Sequence, residues 1–449
     1  MHLKNKTHIC YTYLLKSTFA KNILLILSGT LFAQLLSIVL SPVITRLYSP
    51  DEFAVLAIYT SLLLPLAIIA SLKYEMAIAI ADDDEIAINV TVLSFLITAL
   101  FIAIVSILLF SVDLIQYISP DYNLNKKYKL LLLVGLFLTS THQIFLGWAF
   151  RRKNFKSITK TKYSQSFLAN ITKIGAGFAG FGPVGLIIGN IFGESAGIST
   201  LGWPILKHEV HLFSKINLRK IAWCFKRYIK FPLFSTPSHF FTNLSIKLPV
   251  LLMAGIYDLK IVGLYGFAHT IVSLPMNLIG QSISKVFYSE AASCKNNPLR
   301  IKKLSIKLIK RLLLVGLIPL IVLIVFGPLS FSFAFGDKWY DAGRYAQILA
   351  LLLYSRLIFT PVSRIFTVYE RQLDGLLINI AKIVFIMAIF YFVETFGLTS
   401  FMAVALYSIA MILVYIVTFL RAQQILNIEI EKQKEHRAVK ITEEDFSKV

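Results

Sequence analysis

Charge is what this sequence has least of. Only 15% of its 449 residues are charged, against about a quarter in an ordinary soluble domain, while 57% are hydrophobic and the mean hydropathy is +0.72. A soluble enzyme with a single anchor is excluded, because its surface would need charge that is absent. Cysteine is nearly as scarce: Cys10, Cys224 and Cys294 have no spacing that builds a disulfide framework or a zinc site. The eight histidines form no paired ligand motif, so His142, His239 and His269 read as helix-packing or pore-lining residues rather than metal ligands. No metal and no cofactor is expected, beyond an H+ or Na+ as a coupling ion.

Long apolar runs take the place of charge. They fall at about 23–45, 53–72, 86–112, 130–150, 163–181 and 183–204, then at 232–257, 260–284, 308–327, 345–368, 375–396 and 398–420. Each is long enough to cross a bilayer as a helix. Runs such as Leu312 to Phe326 lack the alternation of a barrel strand. The fold class expected is an all-α integral membrane protein of about 12 transmembrane helices in two pseudo-symmetric six-helix bundles. The domain reading is a cytoplasmic lead over 1–22, a first bundle over 23–204, a basic linker over 205–231, a second bundle over 232–420 and a mixed-charge tail over 421–449. The lead lacks the small-residue cleavage site of a removable signal peptide, and the tail reads as a frayed helix followed by disorder. The outward loops 113–129 and 327–344 are short beside the loops expected of catalytic or lid segments, which disfavours a polymerase or glycosyltransferase, and no catalytic residue is identified.

The net charge of +21 orients the chain rather than pointing to nucleic acid. Of its 45 Lys and Arg residues, 33 fall in the termini and the loops of one side, 7 in the loops of the other, and 5 inside spans. The positive-inside rule places both termini in the cytoplasm. The five within spans are Lys173, Lys247, Arg356, Arg364 and Lys382, each costing roughly 2.5–3.5 kcal/mol at mid-helix unless it snorkels or faces a wet cavity. Arg364 sits close enough to a span end to snorkel, and Lys382 is balanced between the two readings. Lys173, Lys247 and Arg356 lie deeper and are the strongest candidates to line a cavity that an anionic substrate would neutralise. Glu194, in the sixth span, reads either as a coupling site for a proton or cation or as a packing partner of one of these cations. A weak internal repeat sets Asn170-Ile171-Thr172-Lys173-Ile174 against Asn379-Ile380-Ala381-Lys382-Ile383, at an offset of 209, as expected of a duplicated bundle.

Two segments at the start of the chain carry a family resemblance. Ser41-Pro42-Val43-Ile44-Thr45-Arg46-Leu47-Tyr48-Ser49-Pro50-Asp51-Glu52-Phe53, and Lys73-Tyr74-Glu75-Met76-Ala77-Ile78 with the acidic run Asp82-Asp83-Asp84-Glu85, resemble the oligosaccharide flippases of the polysaccharide biosynthesis protein family (Wzx-type). Ala54 stands where that family usually has glycine. Weaker echoes follow at Gly147 to Arg152, Gly263-Leu264-Tyr265, Leu274-Pro275 and Phe335 to Gly343. The resemblance implies two six-helix bundles that alternate between inward-open and outward-open states, in the bacterial inner membrane. It implies as substrate an oligosaccharide on undecaprenyl pyrophosphate, with membrane lipid around it, other polysaccharide-assembly membrane proteins as partners, and no nucleic acid. The chief alternative is a cation-coupled multidrug exporter of the same superfamily, which the positive surplus opposes.

Overall fold

In a computed structural model, residues 18–111 and 126–446 are described, with side chains described for 25–111 and 126–435. All regular structure among them is helical. The longer helices are α1 (Thr18–Leu47), α2 (Pro50–Ala70), α3 (Asp84–Ser111), α4 (Lys126–Arg151), α5 (Phe155–Phe178), α6 (Pro183–Ser195) and α7 (Ile198–His208). They continue with α8 (Leu218–Arg227), α9 (Thr236–Ile256), α10 (Leu259–Ser293), α11 (Pro298–Phe335), α12 (Tyr340–Phe359), α13 (Gln372–Thr395) and α14 (Ser400–Phe446). Most of the lead and nearly all of the loop expected at 113–129 lie outside the described residues.

Among the described residues, eleven helical segments are long and apolar enough to cross a membrane. The twelfth expected span is α5, which has 24 residues, about 36 Å of helix, but carries too many Lys, Ser, Thr and Asn residues to stand out by hydropathy alone. An apolar surface is left for lipid: Leu314, Ile318, Val322 and Phe333 on α11 are exposed, Phe333 to 90%. The protein is an all-α, multi-pass membrane protein.

Three helices run well past the apolar windows. The 35 residues of α10, 38 of α11 and 47 of α14 give lengths of about 50 to 70 Å, against a hydrocarbon core of about 30 Å. The tail, expected to fray and lose structure, is instead helical to Phe446. The reason is propensity: Glu, Lys, Gln and Arg end an apolar run but are good helix formers, so leaving the lipid does not stop the helix.

The chain divides into two compact units, Met1–Gly266 with Ala334–Lys338, and Phe267–Phe333 with Trp339–Val449. The first takes in α9, which packs along α2, so this division falls later in the chain than the linker at 205–231. The larger cores of the first unit lie around Tyr74, Ile78, Trp148 and Cys224 and around Tyr59, Leu63, Leu136 and Ile187. In the second, Phe287, Ile301, Ile365 and Leu426 form a core.

The residues that carry the resemblance build corners. Ser49 caps α2: its Oγ accepts from Glu52 N at 3.3 Å, and Ser49 N donates to Glu52 Oε2 at 2.6 Å. This reciprocal box satisfies two orphan donors of the first turn, and Pro50 supplies a preset φ. After α2 the chain turns through Leu72 and Lys73 in left-handed conformations, φ 48° and 60°, uncommon for residues with a Cβ. Buried Glu75 fixes that turn, accepting from Ser71 Oγ at 2.5 Å and Lys73 Nζ at 3.0 Å. Arg151 then closes the end of the unit, donating to Asp84 Oδ1 through Nε at 3.0 Å and through its second terminal nitrogen at 2.8 Å, and to Ala81 O at 2.6 Å. Arg152 pairs with Asp84 at 2.9 Å and with Glu209, and the Glu209 carboxylate, followed by that of Asp84, holds its guanidinium charged more firmly than usual.

Candidate functional site: a lysine-rich cluster in the first unit

Close packing of α6 on α5 sets the geometry. Gly185, Gly189 and Gly193 recur every fourth residue along one face of α6, and all three lie against α5. A Cβ on Gly185 would come within 2.6 Å of Ala176 Cβ, and one on Gly189 within 2.9 Å of Ala169 O. Small residues at this spacing let membrane helices approach to backbone distance. Glu194 follows Gly193 directly, and its carboxylate feels the charges of Lys162 and Lys173 on α5. The span then breaks at Gly197, whose φ of 133° suits only glycine, and α7 begins.

Lys162, Lys173 and Lys247 are the charges that act on the Glu194 carboxylate. Two come from α5, where eleven residues, three full turns, put Lys162 and Lys173 on one face; the third comes from α9. All four side chains are half-buried. Lys162 Nζ donates to Gln165 Oε1 at 3.2 Å, and Gln165 Nε2 donates to Glu194 O at 3.1 Å. His142 Nε2 on α4 lies 3.3 Å from Gln165 Nε2, so buried His142 supports Gln165. Tyr48 donates its hydroxyl to Lys173 O at 2.7 Å, pinning α5 to the α1–α2 corner. Tyr59 on α2 also feels the Glu194 charge. Asn190, four residues before Glu194 on α6, has a buried amide oxygen with no hydrogen-bond partner.

Three ammonium groups against one carboxylate leave a formal charge of +2 inside a membrane unit. A cation would be repelled there, whereas an anion would gain from every lysine in a low dielectric.

The second unit has its own cations. Lys382 Nζ on α13 donates to Asn379 Oδ1 at 3.2 Å and stands 5.1 Å from the centre of the Tyr415 ring. Arg356 on α12 acts on Lys382, Tyr407 and Tyr415. This is again a formal +2. The repeat partners Asn170 and Asn379 differ in use: Asn170 Nδ2 donates to Ser37 Oγ at 3.2 Å and Ser166 O at 2.7 Å.

Of the residues predicted from sequence, Lys173 and Lys247 lie within electrostatic reach of Glu194 in the first unit, and Arg356 within reach of Lys382 in the second. Arg364 stands apart, exposed on the 3-10 turn Thr360–Arg364 that breaks the span after α12. Lys162 corrects the charge census, which counted it with the loop of one side; it lies within α5 and acts on Glu194. Its signal was the eleven-residue interval to Lys173. Gln165 and Tyr59 carried none. No group of acidic, His or Cys residues suited to a metal occurs among the described residues.

Comparison with known proteins bears on the family and the fold. Residues 43–344 match the polysaccharide biosynthesis protein family. Teichuronic acid biosynthesis protein TuaB of Bacillus subtilis is 24% identical over 161 residues, 36% of this chain and 32% of its own length; the match thus spans about a third of that relative. Among solved structures, an inward-facing multidrug resistance MATE transporter of the MOP superfamily aligns with a TM-score of 0.72 at 16% identity, over 90% of this chain and 99% of its own. A MOP superfamily transporter from Pyrococcus furiosus, for which reverse polarity of the binding pocket suggests a different function, aligns at 0.63 and 15%, over 93% and 98%. The fold is that of the MOP-superfamily transporters.

Proposed function

The chain belongs to the polysaccharide biosynthesis protein family, and from that premise we propose that it is a flippase for an oligosaccharide linked to undecaprenyl pyrophosphate. It works by alternating access in the bacterial inner membrane, with both termini in the cytoplasm and other polysaccharide-assembly proteins beside it. The observation that carries this reading is the charge of the lysine cluster. A pyrophosphate diester carries two negative charges, equal and opposite to the formal +2 of Lys162, Lys173 and Lys247 with Glu194. Ammonium groups bind phosphoryl oxygens through short, charge-assisted hydrogen bonds. The unpartnered Asn190 amide oxygen offers an acceptor for a sugar hydroxyl. Arg356 and Lys382, with Asn379 and Tyr415 around them, form a second anion-binding set. Glu194 is the lysines' counter-ion until substrate arrives.

A second reading, export of a multidrug substrate, draws on the fold of the MATE transporters. A cationic drug would enter a site of net positive charge, which the electrostatics oppose. Reconstitution separates the two. Vesicles containing the protein should move a fluorescent lipid-pyrophosphate glycan between leaflets and leave a cationic dye where it was added. Dye transport without lipid transport would overturn the flippase reading.

A further inference from the structure

The basic ends of α10 and α11 enclose a groove that the lysine cluster does not involve. It is a cavity of about 340 Å3 lined by Ile283, Val286, Phe287, Leu304 and Leu308, with Lys307, Arg311 and Glu290 at its edge. Lys307 and Arg311 are four residues apart and share one face of α11. Both are exposed, and among the described residues neither makes an ion pair or a hydrogen bond. The groove lies where the two over-long helices leave the hydrocarbon: eight Lys and Arg residues fall between Lys285 and Arg311, so this stretch sits at the headgroup level of the basic side. Apolar walls that end in unpartnered cations at that depth match a lipid with chains and an anionic head, and basic pockets between membrane helices are known to take such headgroups.

We propose that this groove holds one anionic phospholipid of the surrounding bilayer. Its phosphate sits between Lys307 and Arg311, and an acyl chain lies along Ile283, Val286 and Leu308. Charge selects the class. Two cations and Glu290 give a formal +1, which balances a phosphate diester whose head is otherwise neutral, such as phosphatidylglycerol. Glu290 is then placed to accept a hydrogen bond from a glycerol hydroxyl. A zwitterionic lipid would leave the +1 unbalanced. The site is separate from Lys162, Lys173, Lys247 and Glu194, and its occupancy does not depend on what the protein transports.

The test uses the full chain in nanodiscs of phosphatidylcholine with a trace of photoreactive phosphatidylglycerol, and crosslinked peptides are mapped by mass spectrometry. Adducts should concentrate in 282–311 and fall about tenfold or more in K307Q/R311Q, given the worth of each basic residue near a headgroup. Val286→Trp, which fills the groove and keeps both cations, should fall likewise, so the result does not hang on one variant. Adducts spread evenly over the lipid-facing helices would overturn the proposal, as would unchanged labelling in both variants or equal capture of photoreactive phosphatidylcholine. Displacement of the adduct by polyprenyl pyrophosphate would also overturn it, by assigning the groove to the transported lipid.

Discussion

The side-chain stem of Lys173 lies directly against the bare backbone of Gly189. The residue that makes room for Lys173, one of the three cations predicted to lie deep, is therefore a glycine on the facing helix. Gly189→Ala would set a Cβ 2.9 Å from Ala169 O, and the helices would have to part. Overpacking of this kind costs about 1–3 kcal/mol. A lower thermal midpoint in detergent, with intact membrane insertion, is the expected outcome; an unchanged midpoint would mean that α5 and α6 do not pack this closely.

Asp84 receives both Arg151 and Arg152. Its side chain is more than a third exposed, so solvent screens much of the attraction, while the two bonds from largely buried Arg151 are better protected. Asp84→Asn should lower stability by about 1 kcal/mol, measured as a shift in the thermal midpoint. Arg152→Gln removes one bond to Asp84 and also frees the half-buried Glu209 carboxylate, so it should cost a comparable amount. An unchanged midpoint in Asp84→Asn would contradict the placement of Arg151.

Cys224 and Cys294 are both free thiols, one buried and one partly exposed. Burial, then the nearby Asp83 charge, push the Cys224 thiol up to about 11. The thiolate is the reactive form, and at pH 8 only about one Cys224 thiol in a thousand is ionised at any moment, so labelling there is slow. In a variant with Cys10 replaced by Ser, maleimide should label one site at pH 7 to 8, at Cys294. Labelling of Cys224 should appear on denaturation or as the pH climbs toward 11. Rapid labelling of Cys224 at pH 7 would show that α8 does not pack that face onto the core around Tyr74, Ile78 and Trp148.

Most of the membrane architecture could be read in the sequence because lipid imposes one strong rule, and eleven apolar runs obey it. Ser49-Pro50-Asp51-Glu52 stood out in the sequence only as part of the family-like segment, and its capping box is a finding of the structure. Lys162 was not legible: flanked by Lys156 and Lys160, it reads as part of a basic loop, and only the packing of α6 onto α5 brings it to Glu194. The length of α10, α11 and α14 was hidden for a related reason. Hydropathy measures where lipid ends, and helix propensity decides where a helix ends. The family-like motifs mark the corners of the first unit, while the cations come from helices with little motif at all, Lys247 among them.

The central claim, that Glu194 and its lysines bind a doubly charged headgroup, is tested most directly by two opposite changes at one site. The measurement is the dissociation constant of a polyprenyl-pyrophosphate glycan for the purified protein and for Lys173→Gln and Glu194→Gln, at low and at moderate salt. Lys173→Gln lowers the cluster to a formal +1 and should weaken binding about tenfold, as expected for one charge-assisted contact worth about 1.5 kcal/mol or more. Glu194→Gln raises it to +3 and should tighten binding. Weakening by both variants, or no response to either, would contradict the account.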